Sequence, residues 1–523
     1  MSENGENVFT HGPIPRVPVT DPTLGVEVRP TWTGRPRHRL VSVGDSLTQG
    51  FQSAAVFHTD VSYPAIIAHE LGWSEHFRYP SYNGFGGLPF NLELFLRELE
   101  ARYGRDLDWW ETAPALFHAR RFMDKVEDYW ERGAGTAVPS TTAINHNLAV
   151  FGWDLRDALD RSADVCRKRI STPKDNLVHQ IVEHADDRAA LRVLPTEPPE
   201  AANLSQLDAA ARLGDEVGAT DPAHGIETLI VFLGPNNALR SVVDLRVVWS
   251  DDGYDDPQRK GAFTVWRPEH FAAELRQVAL EVREIKARHV IWCTVPHVTI
   301  APIARGVAAK TAPGSAYFPY YTRPWISDRD FDPRQDPHLT AEQARAVDGA
   351  VDQYNYAITA EVRGARDDGK DWYLLDTAGL LDRLGSRRYI EDPQARPDWW
   401  QPYPMPPQLG ALTPVPNSRF LASDGTRRTN GGLFSLDGVH PTTVGYGILA
   451  QELINVMRRA GVEFFPPHSS TPRPDPVLVD FGRLIRHDTL INRPPGNLTS
   501  SLGLLGWADE KLDLLHRALH FTI

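Results

Sequence analysis

Three residues with the chemistry of a nucleophilic relay stand in two short motifs at opposite ends of the chain. Ser46 lies in Gly44-Asp45-Ser46-Leu47-Thr48-Gln49-Gly50, directly after an apolar run. A serine hydroxyl is a weak nucleophile at its free pKa and needs a neighbouring base. The late segment Ser435-Leu436-Asp437-Gly438-Val439-His440-Pro441 offers one. A three-residue spacing lets one turn bring the Asp437 carboxylate beside the His440 imidazole. The carboxylate then holds the Nδ1–H and leaves Nε2 to take the serine proton. Each motif also has a plainer use. A serine before a helix caps it, and an Asp–His pair can sit in any surface turn.

Acyl transfer further requires hydrogen-bond donors aimed at the developing oxyanion. Two other apolar runs end in suitable residues: Asn147-Leu148-Ala149-Val150-Phe151-Gly152 and Gly234-Pro235-Asn236-Asn237. The Ser46 N–H, the Gly152 N–H and the Asn236 amide are the expected donors. Gly86 and Gly87, in Asn83-Gly84-Phe85-Gly86-Gly87, are the weaker alternative to Gly152. Glycine, proline and asparagine also punctuate strand ends for purely conformational reasons. The conjunction of four motifs in order is what favours catalysis.

With these motifs the sequence resembles the GDSL or SGNH hydrolases, a family of esterases, lipases, thioesterases and carbohydrate deacetylases. Gly44-Asp45-Ser46-Leu47 matches the first block in full, and the resemblance implies that Ser46 is the nucleophile. The second block, Asn-x-Gly-x-x-Gly, reads Asn147 to Gly152 with Ala149 in place of the middle glycine, which implies Gly152 as an oxyanion donor. The third, Gly-x-Asn-Asp, reads Gly234-Pro235-Asn236-Asn237, which implies Asn236 as a donor. Asn237 replaces the usual aspartate and so puts the support of that loop in question. The fourth, Asp-x-x-His-Pro, matches at Asp437, His440 and Pro441, implying His440 as base and Asp437 as its partner. The resemblance spans roughly 37–460 and implies a flavodoxin-like α/β/α fold.

Such residues meet only if strands and helices alternate. Five apolar segments predict strands of a parallel sheet: 38–45, 144–152, 226–234, 288–296 and 371–379. Continuous apolar runs of this length suit strands covered on both faces. Helical patterns at 62–73, 154–170, 268–287 and 340–364 separate them, and another at 442–461 follows His440. The expected fold is therefore a three-layer α/β/α sandwich around about five parallel strands. Ser46, Gly152 and Asn236 then fall at carboxyl ends of strands, where open sheets bind ligands.

The expected organisation is an N-terminal extension (1–36), an α/β domain (37–465), and a proline-rich linker with a helical tail (466–523). Within the domain, a helical insertion covers about 84–140, and loop insertions cover about 299–339 and 381–434. The aromatic runs at 316–326 and 395–403 predict an apolar or carbohydrate-facing rim. Helical patterns recur in the tail at 479–491 and 504–519.

The composition excludes several other classes. Its 523 residues are 41% hydrophobic and 24% charged, as in an ordinary globular protein. A net charge of −13 disfavours a nucleic-acid partner. Cys166 and Cys293 are expected as buried free thiols rather than a disulfide framework. No metal-ligand spacing and no dinucleotide fingerprint occurs, and Gly44 to Gly50 lacks the Lys-Ser/Thr of a phosphate loop. No cofactor is expected. The first residues lack the basic start and apolar core expected of a signal peptide, and no apolar run reaches membrane length, so the cytoplasm is the expected location. The expected partner is a small-molecule, lipid or carbohydrate ester. His297, just past the fourth strand, lies where it could reach the cleft, and His146 reads as part of a strand.

Overall fold

Residue alternation explains how one sheet serves two cores. In the computed structural model, Val41, Val43, Leu229, Val231, Val290, Trp292, Trp372 and Leu374 enter one hydrophobic cluster. Their chain neighbours Leu40, Ile230, Phe232, Ile291, Cys293, Tyr373 and Leu375 enter another. Successive strand residues point to opposite faces, so an unbroken apolar run buries both. The strands are β1 (His38–Gly44), β2 (Ile226–Phe232), β3 (Ala287–Cys293) and β4 (Trp372–Leu375), parallel and hydrogen-bonded in that order. Their register pairs Ser42 with Ile230, Leu229 with Val290, and Ile291 with Tyr373.

The structure describes residues 16–498 except 30–31, 83, 106–107, 109, 140–142, 171–181, 219, 258, 467 and 497. Eight helices frame the sheet and its carboxyl edge: α1 (Ser46–Gln49), α2 (Tyr63–Glu70), α3 (Gln206–Asp215), α4 (Asn236–Val243), α5 (Pro268–Glu284), α6 (Ala341–Asp367), α7 (Thr377–Leu384) and α8 (Thr443–Arg459). Leu207, Leu213, Phe271, Leu275, Val351 and Ile358 place α3, α5 and α6 on the first face. Ile66, Ile67, Leu384, Ile448, Leu453 and Ile454 place α2, α7 and α8 on the second. The result is the expected three-layer α/β/α fold.

The expectation of five strands needs correction. Residues 144–152 contribute one bridge, Asn147 to Ser42, rather than a strand. Ser42 N–H donates to His146 O, Leu148 N–H to Ser42 O and Val150 N–H to Gly44 O. The segment thus runs parallel beside β1 but ends early. The N–H groups of His146 and Asn147 turn away to Arg78 O, at 2.8 and 3.2 Å, and Gly152 adopts φ 75°. Counting this segment, the order is 2-1-3-4-5, the flavodoxin-like arrangement whose ligand crevice lies at the carboxyl ends beside the first strand.

The pattern at 154–170 forms two helices, Leu155–Asp160 and Ala163–Arg169. Between them Arg161 is extended, its guanidinium on Asp186 at 2.5 Å, and Ser162 caps the second helix by accepting Val165 N–H. The helical insertion expected over about 84–140 holds helices Leu92–Tyr103 and Thr112–Glu131. The segment after β3 folds into a small antiparallel sheet of 305–307, 320–322 and 339–340. The pattern at 479–491 forms helices Phe481–His487 and Thr489–Asn492, and that at 504–519 lies outside the described residues. Cys166 and Cys293 are buried and free. No helix among the described residues is long and apolar enough to cross a membrane.

Candidate active site

β1 delivers Ser46 to the sheet's carboxyl edge, and the local sequence dictates how. At Gly44 a Cβ would come within 2.2 Å of Thr48 Oγ1 and 2.8 Å of Phe232 O. Only glycine lets α1 fold back this closely on the strand. Asp45 is the N-cap of α1, its carboxylate accepting Leu47 N–H at 3.0 Å. The capping alternative for Ser46 is therefore excluded by its neighbour. Gly50, at φ 92°, closes the helix by donating its N–H to Ser46 O. The turn is braced from three sides. Asn147 Nδ2 donates to Thr48 O at 2.9 Å, Thr48 Oγ1 meets Tyr63 OH at 3.0 Å, and Gln49 Nε2 donates to Tyr82 OH at 2.7 Å.

His440 and Asp437 meet this serine across the fold. His440 Nε2 lies 2.8 Å from Ser46 Oγ, and His440 Nδ1 lies 3.1 Å from Asp437 Oδ2. Asp437 is fully buried and richly satisfied. Oδ1 accepts the Val439 and His440 N–H groups at 2.8 Å each, and Oδ2 accepts Ala54 N–H at 2.9 Å. Burial alone would raise its pKa. The charge and hydrogen bond of His440, with the backbone donors, outweigh burial and hold it below the usual carboxylate range. An ionised Asp437 accepts the hydrogen bond of Nδ1–H, which leaves Nε2 as acceptor for the Ser46 hydroxyl. The Phe51 ring packs on the imidazole at 4.5 Å.

Sequence reasoning missed the hairpin that supports this loop. Phe51–Gln52 pairs with Ala55–Val56, and the two turn residues, Ser53 and Ala54, take φ 49° and 62°. Two-residue hairpins with both φ positive favour Asn-Gly. Ser-Ala carries no such signature. The strained turn is held from the triad loop: Ser53 N–H donates to Ser435 Oγ at 2.9 Å, and Ala54 N–H to Asp437.

The expected oxyanion donors come together around α1. Phe151 N–H donates to Gln49 Oε1 at 2.8 Å, which ties the residue before Gly152 to the serine turn. Asn236 Nδ2 donates to Trp153 O at 2.8 Å and lies 3.5 Å from Asp45 Oδ2. Asn236 is thus anchored beside both Gly152 and Ser46. The N–H groups of Ser46 and Gly152 donate to no group among the described residues. Burial pushes the Asp45 carboxyl up to about 7. Asn237 does not brace the loop with its side chain, whose buried amide has no partner among the described residues. Backbone bonds do so instead, from Asn237 N–H to Gly234 O and from Trp266 N–H to Asn237 O.

Gly86 and Gly87 are not brought to this site. Gly87 N–H is used by Gly84 O within its own turn, and a Cβ there would lie 2.3 Å from Val56 O. Their carbonyls accept from Asn91 Nδ2 and Trp130 Nε1. These glycines serve close packing.

A cleft of about 130 Å³ opens beside Ser46 and His440. Leu380, Leu381 and Leu384 of α7 face Ile448 and Leu449 of α8 across it, with Phe232 and Phe434 among the lining residues. The aromatic excursions do not form its rim. Tyr389, Trp399 and Trp400 pack on one another, and Phe318 and Tyr321 are buried elsewhere. His297 does line the cleft, but both its nitrogens are taken. Nε2 lies 3.1 Å from Asp352 Oδ1 and Nδ1 3.2 Å from Asp382 Oδ1. Burial alone would lower its pKa; Asp382, Asp348 and the two hydrogen bonds raise it to about 10. His146 sits at the sheet edge, stacked on Phe77 and bonded to His38.

Among the described residues no group of histidine, cysteine and carboxylate side chains could hold a metal ion. The sequence matches no model of a known protein family and no curated protein.

Proposed function

We propose that the protein is a serine ester hydrolase of the GDSL/SGNH type, working through an acyl-enzyme on Ser46. The observation that carries this reading is the buried Ser46–His440–Asp437 relay, with links of 2.8 and 3.1 Å. His440 takes the Ser46 proton as Oγ attacks the ester carbonyl, and Asp437 stabilises the imidazolium. The Ser46 and Gly152 N–H groups and the Asn236 amide receive the oxyanion. His440 then protonates the leaving alcohol, and water repeats the sequence to release the acid. The aliphatic lining beside Ser46 favours an ester with an apolar acyl group over a carbohydrate-facing acyl site.

Turnover of p-nitrophenyl acetate and butyrate tests the reading. The wild type hydrolyses both, with butyrate preferred, and Ser46→Ala abolishes turnover. Retention of most activity by Ser46→Ala would falsify it. Product analysis with an added acceptor alcohol separates hydrolysis from acyl transfer by the same relay.

A further inference from the structure

A second cavity, of about 140 Å³, borders the far end of the His440 loop. Ile303, between the lining residues Pro302 and Ala304, donates its N–H to Gly438 O at 3.0 Å. The cavity wall carries Arg305, Arg387, Arg388 and Arg419 and no carboxylate. The carboxylates that pair with Arg305, Arg388 and Arg419 stand behind this wall rather than in it.

The four arginines are not equivalent. Arg388 is paired with Asp348 and Asp382, Arg305 with Asp328, and Arg419 with Glu391. Arg387 makes no ion pair or hydrogen bond among the described residues, and its guanidinium lies over the Phe318 ring at 4.7 Å. Burial, and then the like charges of Arg305 and Arg419, depress its pKa. With no partner of their own, its guanidinium N–H groups are left to face the cavity beside the paired Arg305 and Arg419.

The backbone that places it is uncommon. Arg387 and Arg388 stand in Ser386–Ile390, a single π-helical turn. Reciprocal bonds fix that turn: Ser386 N–H to Ser418 Oγ at 2.8 Å and Ser418 N–H to Ser386 Oγ at 3.1 Å. Such turns are rare and concentrate at functional sites.

We propose that this cavity binds a phosphate monoester. Arg387 is the principal ligand, Arg305 and Arg419 flank it, and Phe318, Tyr321 and Phe420 face the organic group. A guanidinium fork matches two phosphate oxygens, and the third is left for a neighbouring arginine. A carboxylate has only two oxygens and would be satisfied by Arg387 alone. The site is separate from the Ser46 cleft and does not rest on the hydrolase reading.

Titration calorimetry of the full chain at low ionic strength, with phenyl phosphate, inorganic phosphate and benzoate, tests this. Phenyl phosphate should bind one to one and more tightly than either other probe. Arg387→Gln should weaken it at least about tenfold, the loss of one charge-assisted pair. Arg387→Lys should lose less. Arg419→Gln, at a half-exposed pair, supplies a second variant and should weaken binding by about threefold. Melting temperature and Ser46-dependent turnover should stay at wild-type values in these variants. No heat with phenyl phosphate, or an unchanged affinity in Arg387→Gln and Arg419→Gln, overturns the site. Benzoate binding as tightly overturns the phosphate assignment, and inorganic phosphate binding as tightly overturns the ester.

Discussion

His440 and His297 border the same cleft, and aspartate holds both, yet their remaining bonds differ. His440 has one carboxylate on Nδ1 and a serine hydroxyl on Nε2. His297 has a carboxylate on each nitrogen. One carboxylate fixes a tautomer and leaves a basic nitrogen. Two carboxylates require a proton on both nitrogens and lock the ring as a cation. The difference teaches that proximity to a cleft does not make a histidine a base; what occupies the second nitrogen decides it. On the proposed reading the cleft gains a proton acceptor from a late loop, and His297, held between two aspartates, stands past the end of β3.

Several substitutions break or sharpen that contrast. The largest effect belongs to the relay itself: Ser46→Ala and His440→Ala should each lower kcat for p-nitrophenyl butyrate by roughly 10⁴-fold or more. Asp437→Asn keeps the shape but no longer stabilises the required tautomer, so kcat should fall by roughly 10³–10⁴-fold. Asn236→Ala removes one oxyanion donor and should cost roughly 10²–10³ in kcat with KM little changed. An unaltered kcat there would remove Asn236 from the oxyanion site. His297→Gln should change kcat by less than about threefold, because that ring moves no proton. Its cost is in folding, about 2 kcal/mol, since Asp352 and Asp382 lose the charge-assisted bonds to the ring but keep Arg16 and Arg388 at 3.5 Å.

The pH dependence of that cost has a definite sign. The His297 pKa rises from 6.5 to about 10 on folding, so protonation favours the native state. The stabilisation is complete below about pH 6.5 and is lost as pH climbs through about 10. The difference in melting temperature between wild type and His297→Gln should therefore shrink steadily between those values. A constant difference would show that the ring does not titrate with folding.

The motifs of the relay were legible in the sequence because each is local, while their pairing across the chain was implied by the order of the four motifs. Asp437 and His440 share one turn, and Ser46 follows the strand that carries it. Gly44, Asn147 and Gln49 confirm how tightly that turn is specified, since each contacts α1 or its flanks. What was not legible depends on long-range partners. The strand expected at 144–152 shortens because Arg78 O captures two of its N–H groups. The helix expected at 154–170 divides at Arg161, which is extended and reaches Asp186. The Ser53–Ala54 turn has no glycine to announce it and exists because Ser435 and Asp437 hold it. The aromatic runs at 316–326 and 395–403 were expected at the rim of the cleft, but their partners lie in each other and in other loops.

A serine-reactive fluorophosphonate tests the central claim most directly. Incubated with the full chain and followed by peptide mass mapping, it should leave one phosphonyl adduct, on Ser46. Labelling should vanish in Ser46→Ala and slow sharply in His440→Ala, while His297→Gln labels at the wild-type rate. An unlabelled chain, or an adduct that persists in Ser46→Ala, would contradict the assignment of Ser46 as the nucleophile.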